Sequence, residues 1–322
     1  MIIIICALIT LFITIVSGIM VVPLLKRIKA GQTVLKYVEN HKLKSGTPTM
    51  GGLFFIIPAV IVYFAFSGFG NRSVNVALSI GLAFLIVGFI DDFLKIYFKK
   101  NEGLKPYQKI LFQVSIAIVS GIYCYVNNLT RFNLPFVGLN FDLNIFTIPI
   151  VAFIFVAITN SVNLTDGLDG LAGSVSLIYL IFCIALITIQ DNDALLQSEY
   201  DGLSILSSCL IGGLAGFLVF NSNRAKVFMG DTGSLSLGGF LGAISIFSSN
   251  SFFIPFLGIT FVVSGISVII QVLYFKKTKK RIFLMAPIHH HFQLKGYTET
   301  QIAYCYSLIT AVAGLLCILV YL

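Results

Sequence analysis

Long, uninterrupted apolar segments dominate this chain of 322 residues. A bilayer core about 30 Å thick requires roughly 17 to 25 mostly apolar residues for one helical crossing. Hydrocarbon offers the backbone no hydrogen-bond partner, so segments of this length predict helices rather than the short alternating strands of a barrel. Ten such segments cover 2–25, 49–67, 74–97, 107–127, 144–161, 171–190, 202–220, 235–250, 252–274 and 301–322. The sequence therefore predicts an all-α polytopic membrane protein with about ten transmembrane helices, the eighth and ninth forming a tight hairpin.

The composition excludes a soluble or disordered chain. Hydrophobic residues make up 57% of the sequence and charged residues only 11%, against about 45–50% and about 25% in an average soluble domain. The six cysteines lie inside apolar segments with no CxxC spacing, so we interpret them as core or lipid-facing residues rather than as a metal or redox site. With no internal repeat and no linker, residues 1–322 are predicted to form one membrane domain.

The distribution of the basic residues predicts the topology. The chain has 21 Lys and Arg against 13 Asp and Glu, and 19 of the basic residues fall in loops on one side of the predicted spans; Arg72 and Arg131 are the exceptions. The positive-inside rule places the 19 in the cytoplasm and both termini outside. Nucleic acid is not needed to explain the excess. The first segment lacks a basic leading region, so we expect it to stay as a span and not to be cleaved as a signal peptide.

Acidic residues stand at the cytoplasmic end of the third span. Asp91 and Asp92 lie at a helix C-terminus, where the helix dipole disfavours anions. Lys95, four residues after Asp91, shares its helical face and is predicted to pair with it. A divalent cation such as Mg²⁺ is the stronger explanation for two adjacent carboxylates, and solvated charges at a helix end are the alternative.

Further polar motifs lie on the same predicted side. Asn163, Asp166 and Asp169 recur every three residues in NSVNLTDGLDG, which places them near one face if the segment is helical. Asp231 lies in a glycine-flanked turn, where it could bind a metal and where Thr232 or Ser234 could cap the next helix.

Histidines and a basic loop complete the cytoplasmic motifs. His289, His290 and His291 suit phosphate contact or proton transfer, and at most two of them can share one helical face. A zinc site is disfavoured because no fourth ligand accompanies them. Lys44 and Thr49 could approach a phosphate, although for their loop alone attraction to anionic head groups is the favoured reading. Acidic residues for a hard cation and basic residues for phosphate predict phosphoryl chemistry at the membrane surface.

Five strings carry a resemblance to a known family: GTPTMGG at 46–52, DDFLK at 91–95, NLTDGLDG at 163–170, FMGDTGSL at 228–235 and LMAPIHHHF at 284–292. In this order they resemble the phospho-N-acetylmuramoyl-pentapeptide-transferase (MraY) family of the polyprenyl-phosphate N-acetylhexosamine-1-phosphate transferase superfamily. The resemblance spans essentially the whole chain. It implies ten spans, external termini, a multi-pass protein of the bacterial cytoplasmic membrane, a cytoplasmic active site and a homodimer.

The resemblance also implies a reaction. Phospho-MurNAc-pentapeptide passes from UDP-MurNAc-pentapeptide to undecaprenyl phosphate with Mg²⁺ as cofactor, giving lipid I and UMP. Asp231 is implied as the metal ligand, with Asn163 as a second one. The implied catalytic residues are Asp91, Asp92, Asp231 and His289. The implied substrate-binding residues are Lys44, Thr49, Lys95, Asn163, Asp166, Asp169, Asn221, Phe228, His290 and His291. Phe228 is expected to contact the uracil ring.

Some alternatives stay open at this stage. Asp91 is implied as the base for direct attack by the lipid phosphate, whereas a two-step mechanism would use Asp91 or Asp92 as a covalent nucleophile. A sister transferase using UDP-GlcNAc is the nearest other function, and an anionic-solute transporter is the alternative from another class. The sequence departs from the family pattern at Arg224, at Gln293, where the family usually has Glu, and at Tyr297–Thr298. The Gln at 293 puts in doubt a carboxylate beside the histidines.

Overall fold

The computed structural model describes residues 1–27, 46–98, 103–134, 139–190 and 194–320. Within these ranges the chain folds into long helices joined by short loops. The helices are α1 (Ile2–Arg27), α2 (Gly52–Ser67), α3 (Arg72–Tyr97), α4 (Pro106–Val126), α5 (Thr147–Thr165), α6 (Leu171–Ile189), α7 (Ala194–Asn221), α8 (Gly230–Phe247), α9 (Ile254–Leu257), α10 (Ile259–Thr278), α11 (Ile288–Leu294) and α12 (Glu299–Leu319).

The structure confirms an all-α polytopic membrane protein. Eight helices in the described part of the chain are long and apolar enough to cross a bilayer: α1, α3, α4, α5, α6, α7, α10 and α12. Of the two remaining predicted spans, α2 is apolar but has only 16 residues, and α8 interrupts its apolar residues with glycine, serine and threonine. The count of ten and the external termini therefore stay predictions.

Helix α8 is the centre of the bundle. Every residue from Thr232 to Phe247 is buried, and α3 and α5 pack along it. Its small residues permit this close approach. A glycine of α3 contributes in the same way, because a side chain at Gly88 would collide with the backbone oxygen of Asp231. Because α8 is enclosed by protein on all sides, its first residues are held rigidly against the ends of α3 and α5.

Several helix boundaries differ from the prediction. Helix α5 continues through Asn163 to Thr165, and α8 begins at Gly230 instead of near 235. The predicted tight hairpin between the eighth and ninth spans contains a 3₁₀ turn (Ser251–Phe253) and the one-turn helix α9, which ends at Leu257. Polar residues thus lie inside helices where apolar content alone placed loops.

A small β-hairpin was not predicted. Strands β1 (Arg131–Leu134) and β2 (Leu139–Asp142) pair antiparallel, with Arg131 opposite Asp142. The hairpin precedes α5, at the end of the bundle opposite the polar sequence motifs, and it contributes nothing to their arrangement.

Candidate active site

The two aspartates of the last turns of α3 are held by groups from other elements. Asp92 is fully buried, and its Oδ2 accepts hydrogen bonds from the backbone N–H of Thr232 at 3.0 Å and from the hydroxyl of Thr232 at 2.8 Å. Asp91 accepts a hydrogen bond at Oδ1 from the backbone N–H of Leu104 at 2.8 Å. Each carboxylate is therefore fixed in position before any ligand binds.

Two lysines bring a third carboxylate into the cluster. Lys95 Nζ contacts Asp91, lies 3.4 Å from Asp92 Oδ1 and donates to Asp231 Oδ2 at 3.1 Å. Lys109, in the first turns of α4, donates to the same Asp231 oxygen at 2.8 Å. Three carboxylates and two ammonium groups leave the cluster with one formal negative charge. The predicted pairing of Lys95 with Asp91 is confirmed.

Asn163 connects this cluster to α5. Its Nδ2 donates to Asp231 Oδ1 at 2.7 Å and to Ser234 Oγ at 2.8 Å, and its Oδ1 accepts from Lys109 at 3.4 Å. Asp231 lies in the first turn of α8, where the positive end of the helix dipole stabilises a carboxylate. Side-chain hydrogen bonds thus join the end of α5 directly to the beginning of α8.

The oxygen atoms of this cluster fit a hard divalent cation. One carboxylate oxygen from each of Asp91, Asp92 and Asp231 lies within 4.8 Å of the others. Carboxylate oxygens are the ligands that Mg²⁺ prefers, completed by water and substrate phosphates. The donor set therefore matches the predicted cofactor in chemistry.

Gly230 lets the first turn of α8 approach the α3 carboxylates. It has a φ of 73°, in the left-handed region, and a side chain there would collide with Asp92 Oδ2 and with Thr49 Oγ1. Thr49 is fully buried against this turn. Only glycine satisfies both the backbone conformation and the space available.

The histidines pack against the acidic turn that follows α5. His289 is fully buried, and its Nε2 and that of His290 face the Cα of Gly167. Burial, and secondarily the neighbouring His290, lowers the pKa of His289 well below its ordinary value. Burial also raises the pKa of Asp166 well above its ordinary value, and the charges of the surrounding carboxylates act in the same direction.

Asn163, Asp166 and Asp169, which would share a face if their segment were helical, separate in the structure. Because α5 ends at Thr165, only Asn163 is helical and turned toward Asp231. Asp166 is the residue that ends the helix, and Asp169 lies beyond it, accepting at Oδ2 from the backbone N–H of Ala225 at 2.9 Å. The condition for a shared helical face, a helical segment, is therefore not met, although Asn163 and Asp166 both stay close to the carboxylates.

Other predicted site residues brace the surrounding loops. Asn221 is buried, accepts from the backbone N–H of Gly170 at 3.0 Å and donates to the carbonyl of Val227 at 2.9 Å. The backbone of Phe228 pairs with the 48–51 segment: its N–H donates to the Pro48 carbonyl at 2.8 Å, and its carbonyl accepts from the N–H of Gly51 at 2.9 Å. The Phe228 side chain is half-buried.

Of the two remaining predicted residues, one contacts the protein itself and the other lies outside the described residues. His291 Nδ1 accepts from the backbone N–H of Leu284 at 3.1 Å, so that nitrogen is used within the protein. Lys44 lies outside the described residues. Substrate contact by these residues, and by Asn221 and Asp169, stays a prediction.

Comparison with known proteins identifies the family. A family model described as glycosyl transferase family 4 matches residues 74–249, and a phospho-N-acetylmuramoyl-pentapeptide-transferase signature matches residues 44–56. The phospho-N-acetylmuramoyl-pentapeptide-transferase of Clostridium novyi (strain NT) is 41% identical over 312 residues, covering 96% of this chain and 94% of the relative. That of Caldanaerobacter subterraneus subsp. tengcongensis is 42% identical, covering 97% and 96%. The protein of the same name from Clostridioides difficile (strain 630) is 40% identical over 316 residues, covering 95% and 94%.

The chain belongs to the phospho-N-acetylmuramoyl-pentapeptide-transferase family. The resemblance found in the sequence motifs is thereby confirmed, and the protein is an integral membrane transferase of that family.

Sequence reasoning missed part of this family site. Lys109 was counted only as a cytoplasmic charge, yet it contacts Asp231. The expected capping of α8 by Thr232 or Ser234 is wrong, because both lie inside the helix and serve Asp92 and Asn163 instead. A polar side chain one turn inside an apolar helix, as with Lys109, is the signal that could have found it.

Proposed function

We propose that this protein transfers phospho-MurNAc-pentapeptide from UDP-MurNAc-pentapeptide to undecaprenyl phosphate at the bacterial cytoplasmic membrane, giving lipid I and UMP. The observation that carries the proposal is the cluster of Asp91, Asp92 and Asp231 at one end of the helix bundle, in which Lys95 contacts all three carboxylates and Lys109 contacts Asp231. Phosphoryl transfer needs placement of anions and compensation of charge more than covalent chemistry, and this cluster supplies both at the end of membrane-spanning helices, where a lipid phosphate lies.

We propose Mg²⁺ as the cofactor. Asp231 and Asn163 would hold it, with the carboxylates of Asp91 and Asp92 beside them. When bound, Mg²⁺ supplies positive charge next to the diphosphate of the nucleotide donor.

The contacts of the two α3 aspartates favour different roles for them. Asp92 is fully buried and already accepts two hydrogen bonds from Thr232 at one oxygen, so it is poorly placed to accept a proton or to attack phosphorus. Asp91 Oδ2 has Lys95 as its charged partner and no hydrogen bond from a backbone group. This difference supports Asp91 as the base and Asp92 as the group that anchors α8.

The proposed reaction is a direct displacement. Asp91 takes the remaining proton of undecaprenyl phosphate, and an oxygen of that phosphate attacks the sugar-linked phosphorus of the donor. The bond between that phosphorus and the bridging oxygen of the diphosphate breaks, and the bridging oxygen leaves with the uridine phosphate as UMP. The ammonium groups of Lys95 and Lys109 are carried on flexible side chains and can turn to the charge that develops on the phosphates.

The remaining predicted contacts surround this centre. Phe228 is proposed to stack on uracil, since its ring is half-buried and its backbone is fixed. His289 and His290 are proposed to lie beside the donor sugar and phosphates because they pack on the turn at Gly167. A homodimer, contact with membrane lipids, and one membrane domain over residues 1–322 stay predictions.

One assay tests the function. UMP release is measured from UDP-MurNAc-pentapeptide with undecaprenyl phosphate, with Mg²⁺ and with a chelator, for the wild type, for Asp231→Asn and for the control Asp142→Asn in the β-hairpin. We expect release only with Mg²⁺ and both substrates, loss in Asp231→Asn and wild-type release in Asp142→Asn. Full activity of Asp231→Asn, or of the chelated enzyme, would refute the metal assignment.

The same preparation separates the alternatives. Consumption of UDP-GlcNAc with no reaction of UDP-MurNAc-pentapeptide would establish the sister transferase, and solute uptake by sealed vesicles without UMP release would establish a transporter. Stoichiometric UMP release in the absence of the lipid acceptor would replace direct displacement with the covalent two-step mechanism.

A further inference from the structure

Glu299, in the first turn of α12, contacts both the turn that follows α5 and helix α11, which carries the histidines. Its Oε2 accepts from the backbone N–H of Asp169 at 2.9 Å, and its Oε1 accepts from the side-chain amide of Gln293 at 3.4 Å. Gln293 in turn lies 3.1 Å from His290, through its Oε1 and the ring Nδ1. One carboxylate therefore touches the acidic turn after α5 and, through one amide, the histidine helix α11.

The chemistry of these three side chains fixes where their protons lie. A carboxylate can only accept hydrogen bonds, so the Gln293 atom that faces Glu299 must be the NH₂ group. The carbonyl oxygen of Gln293 is then turned toward His290. Because a carbonyl oxygen also can only accept, Nδ1 of His290 must carry a proton.

We infer that Glu299 is a positioning residue that holds the proton of His290 on Nδ1 by orienting the Gln293 amide. Without Glu299, the contact that turns the NH₂ group of Gln293 away from the ring is lost, and we expect the preference of the His290 proton for Nδ1 to weaken. With the proton on Nδ1, Nε2 is the acceptor nitrogen of the neutral His290 ring. As far as it concerns catalysis, the inference rests on the proposed function.

This arrangement resolves the departure at position 293. The sequence left in doubt whether a carboxylate stands beside the histidines, because Gln replaces the Glu expected there. In the structure the carboxylate belongs to Glu299, which contacts Gln293 and not the histidine ring in this chain of hydrogen bonds. Because Gln293 is neutral, it places no second negative charge 3.4 Å from Glu299. The first turn of a helix is a favourable place for that carboxylate.

The proton position can be observed directly, without turnover. The full-length protein in lipid nanodiscs is labelled with ¹⁵N-histidine, which reports four residues, and the His290 signals are assigned by their loss in His290→Gln. We expect a protonated Nδ1 in the wild type and in Gln293→Glu, which keeps an acceptor for that proton. We expect a mixture of tautomers in Glu299→Ala and in Gln293→Met. Glu199→Ala, at the opposite end of the bundle, is the matched control and is expected to leave the His290 signals unchanged.

Two outcomes would overturn the inference. One is an unprotonated Nδ1 in the wild type. The other is an unchanged His290 spectrum in Glu299→Ala or, should that variant not fold, in Gln293→Met, which leaves the contact of Glu299 with Asp169 intact. Because these measurements need no substrate, their result does not depend on whether the proposed reaction is correct.

Kinetics give a second, separate test. We expect kcat/KM for UMP release to fall about 10- to 100-fold in Glu299→Ala, the range found when the group that orients a functional side chain is removed. The double variant Glu299→Ala/Gln293→Met should lose no more than Glu299→Ala alone, since both act on His290 along one path. If the fold losses in kcat/KM of the two single variants multiply in the double variant, Glu299 does not act through Gln293.

Discussion

Thr232 gives both its backbone N–H and its hydroxyl to one oxygen of Asp92. This contact joins the end of α3 to the first turn of α8, and it holds in place the aspartate whose neighbour, Asp91, is the proposed base. The geometry of the acidic cluster thus depends on a side chain that itself carries no charge.

Replacing Thr232 by Val removes the hydroxyl while keeping the shape of the side chain. A hydrogen bond to a charged group contributes about 1.5–3 kcal/mol, so we expect kcat/KM for UMP release to fall about 10- to 100-fold if the cluster must be rigid for catalysis. Thr232→Ser, which keeps the hydroxyl, should stay near the wild type. Equal activity of the Val and Ser variants would show that the backbone N–H alone positions Asp92.

Gly230→Ala is expected to destabilise the protein and to abolish activity. Its φ of 73° and the collision of a side chain with Asp92 and Thr49 act together. Gly68, with a φ of 64° and no atom within 4 Å of an added Cβ, is the matched control, because Gly68→Ala has the backbone strain without the collision. Thermal unfolding in detergent should show a clearly larger loss for Gly230→Ala, by about 1–3 kcal/mol from overpacking. Equal losses would mean that the turn has room to adjust.

Asp166→Asn should stabilise the protein at neutral pH. The pKa of Asp166 is raised in the folded state, so its contribution to stability is fully present below the ordinary value of 3.8 and is lost as the pH rises through the folded pKa. The neutral Asn avoids that loss, and the gain in Tm over the wild type should be largest at pH 7–8 and shrink toward pH 4. A gain that grows on acidification would contradict the sign. Activity is expected to fall, since a group kept at a cost in stability is typical of functional sites.

His289 predicts the opposite dependence on pH. Its pKa is lowered in the folded state, so its contribution to stability is fully present above the ordinary value of 6.5 and is lost as the pH falls through that value toward the folded pKa. The wild type should therefore lose Tm below about pH 6.5 more steeply than His289→Gln, which cannot be protonated. Parallel Tm curves for the two proteins between pH 7 and pH 5 would show that His289 accepts a proton in the folded state without penalty.

The helices were predictable because their signal is local. Apolar length alone placed the centres of the long helices, since each residue contributes to the signal independently of the fold. Asp91, Asp92 and Asp231 were also found, because a carboxylate among apolar residues stands out wherever it occurs.

Pairings between distant residues were not predictable in the same way. Lys109 and Asp231 are 122 positions apart, and Glu299 and Asp169 are 130 apart, so nothing local distinguishes Lys109 from a charge of the basic loops or Glu299 from a solvated helix end. A shared helical face for Asn163, Asp166 and Asp169 required their segment to be helical, and their three-residue spacing carries no information on where α5 ends. The β-hairpin at 131–142 was missed since four-residue strands give too weak a pattern beside long helices.

The complete enclosure of α8 also bears on how the protein is made. A helix interrupted by glycine, serine and threonine gains less from entering hydrocarbon than one built from leucine and isoleucine, so α8 is expected to leave the translocon poorly unless a partner receives it. Helices α3 and α5 precede it in the chain and pack along it. Both helices are therefore synthesised before α8, and the acidic cluster, which includes Asp231 of α8, can assemble only after α8 has inserted.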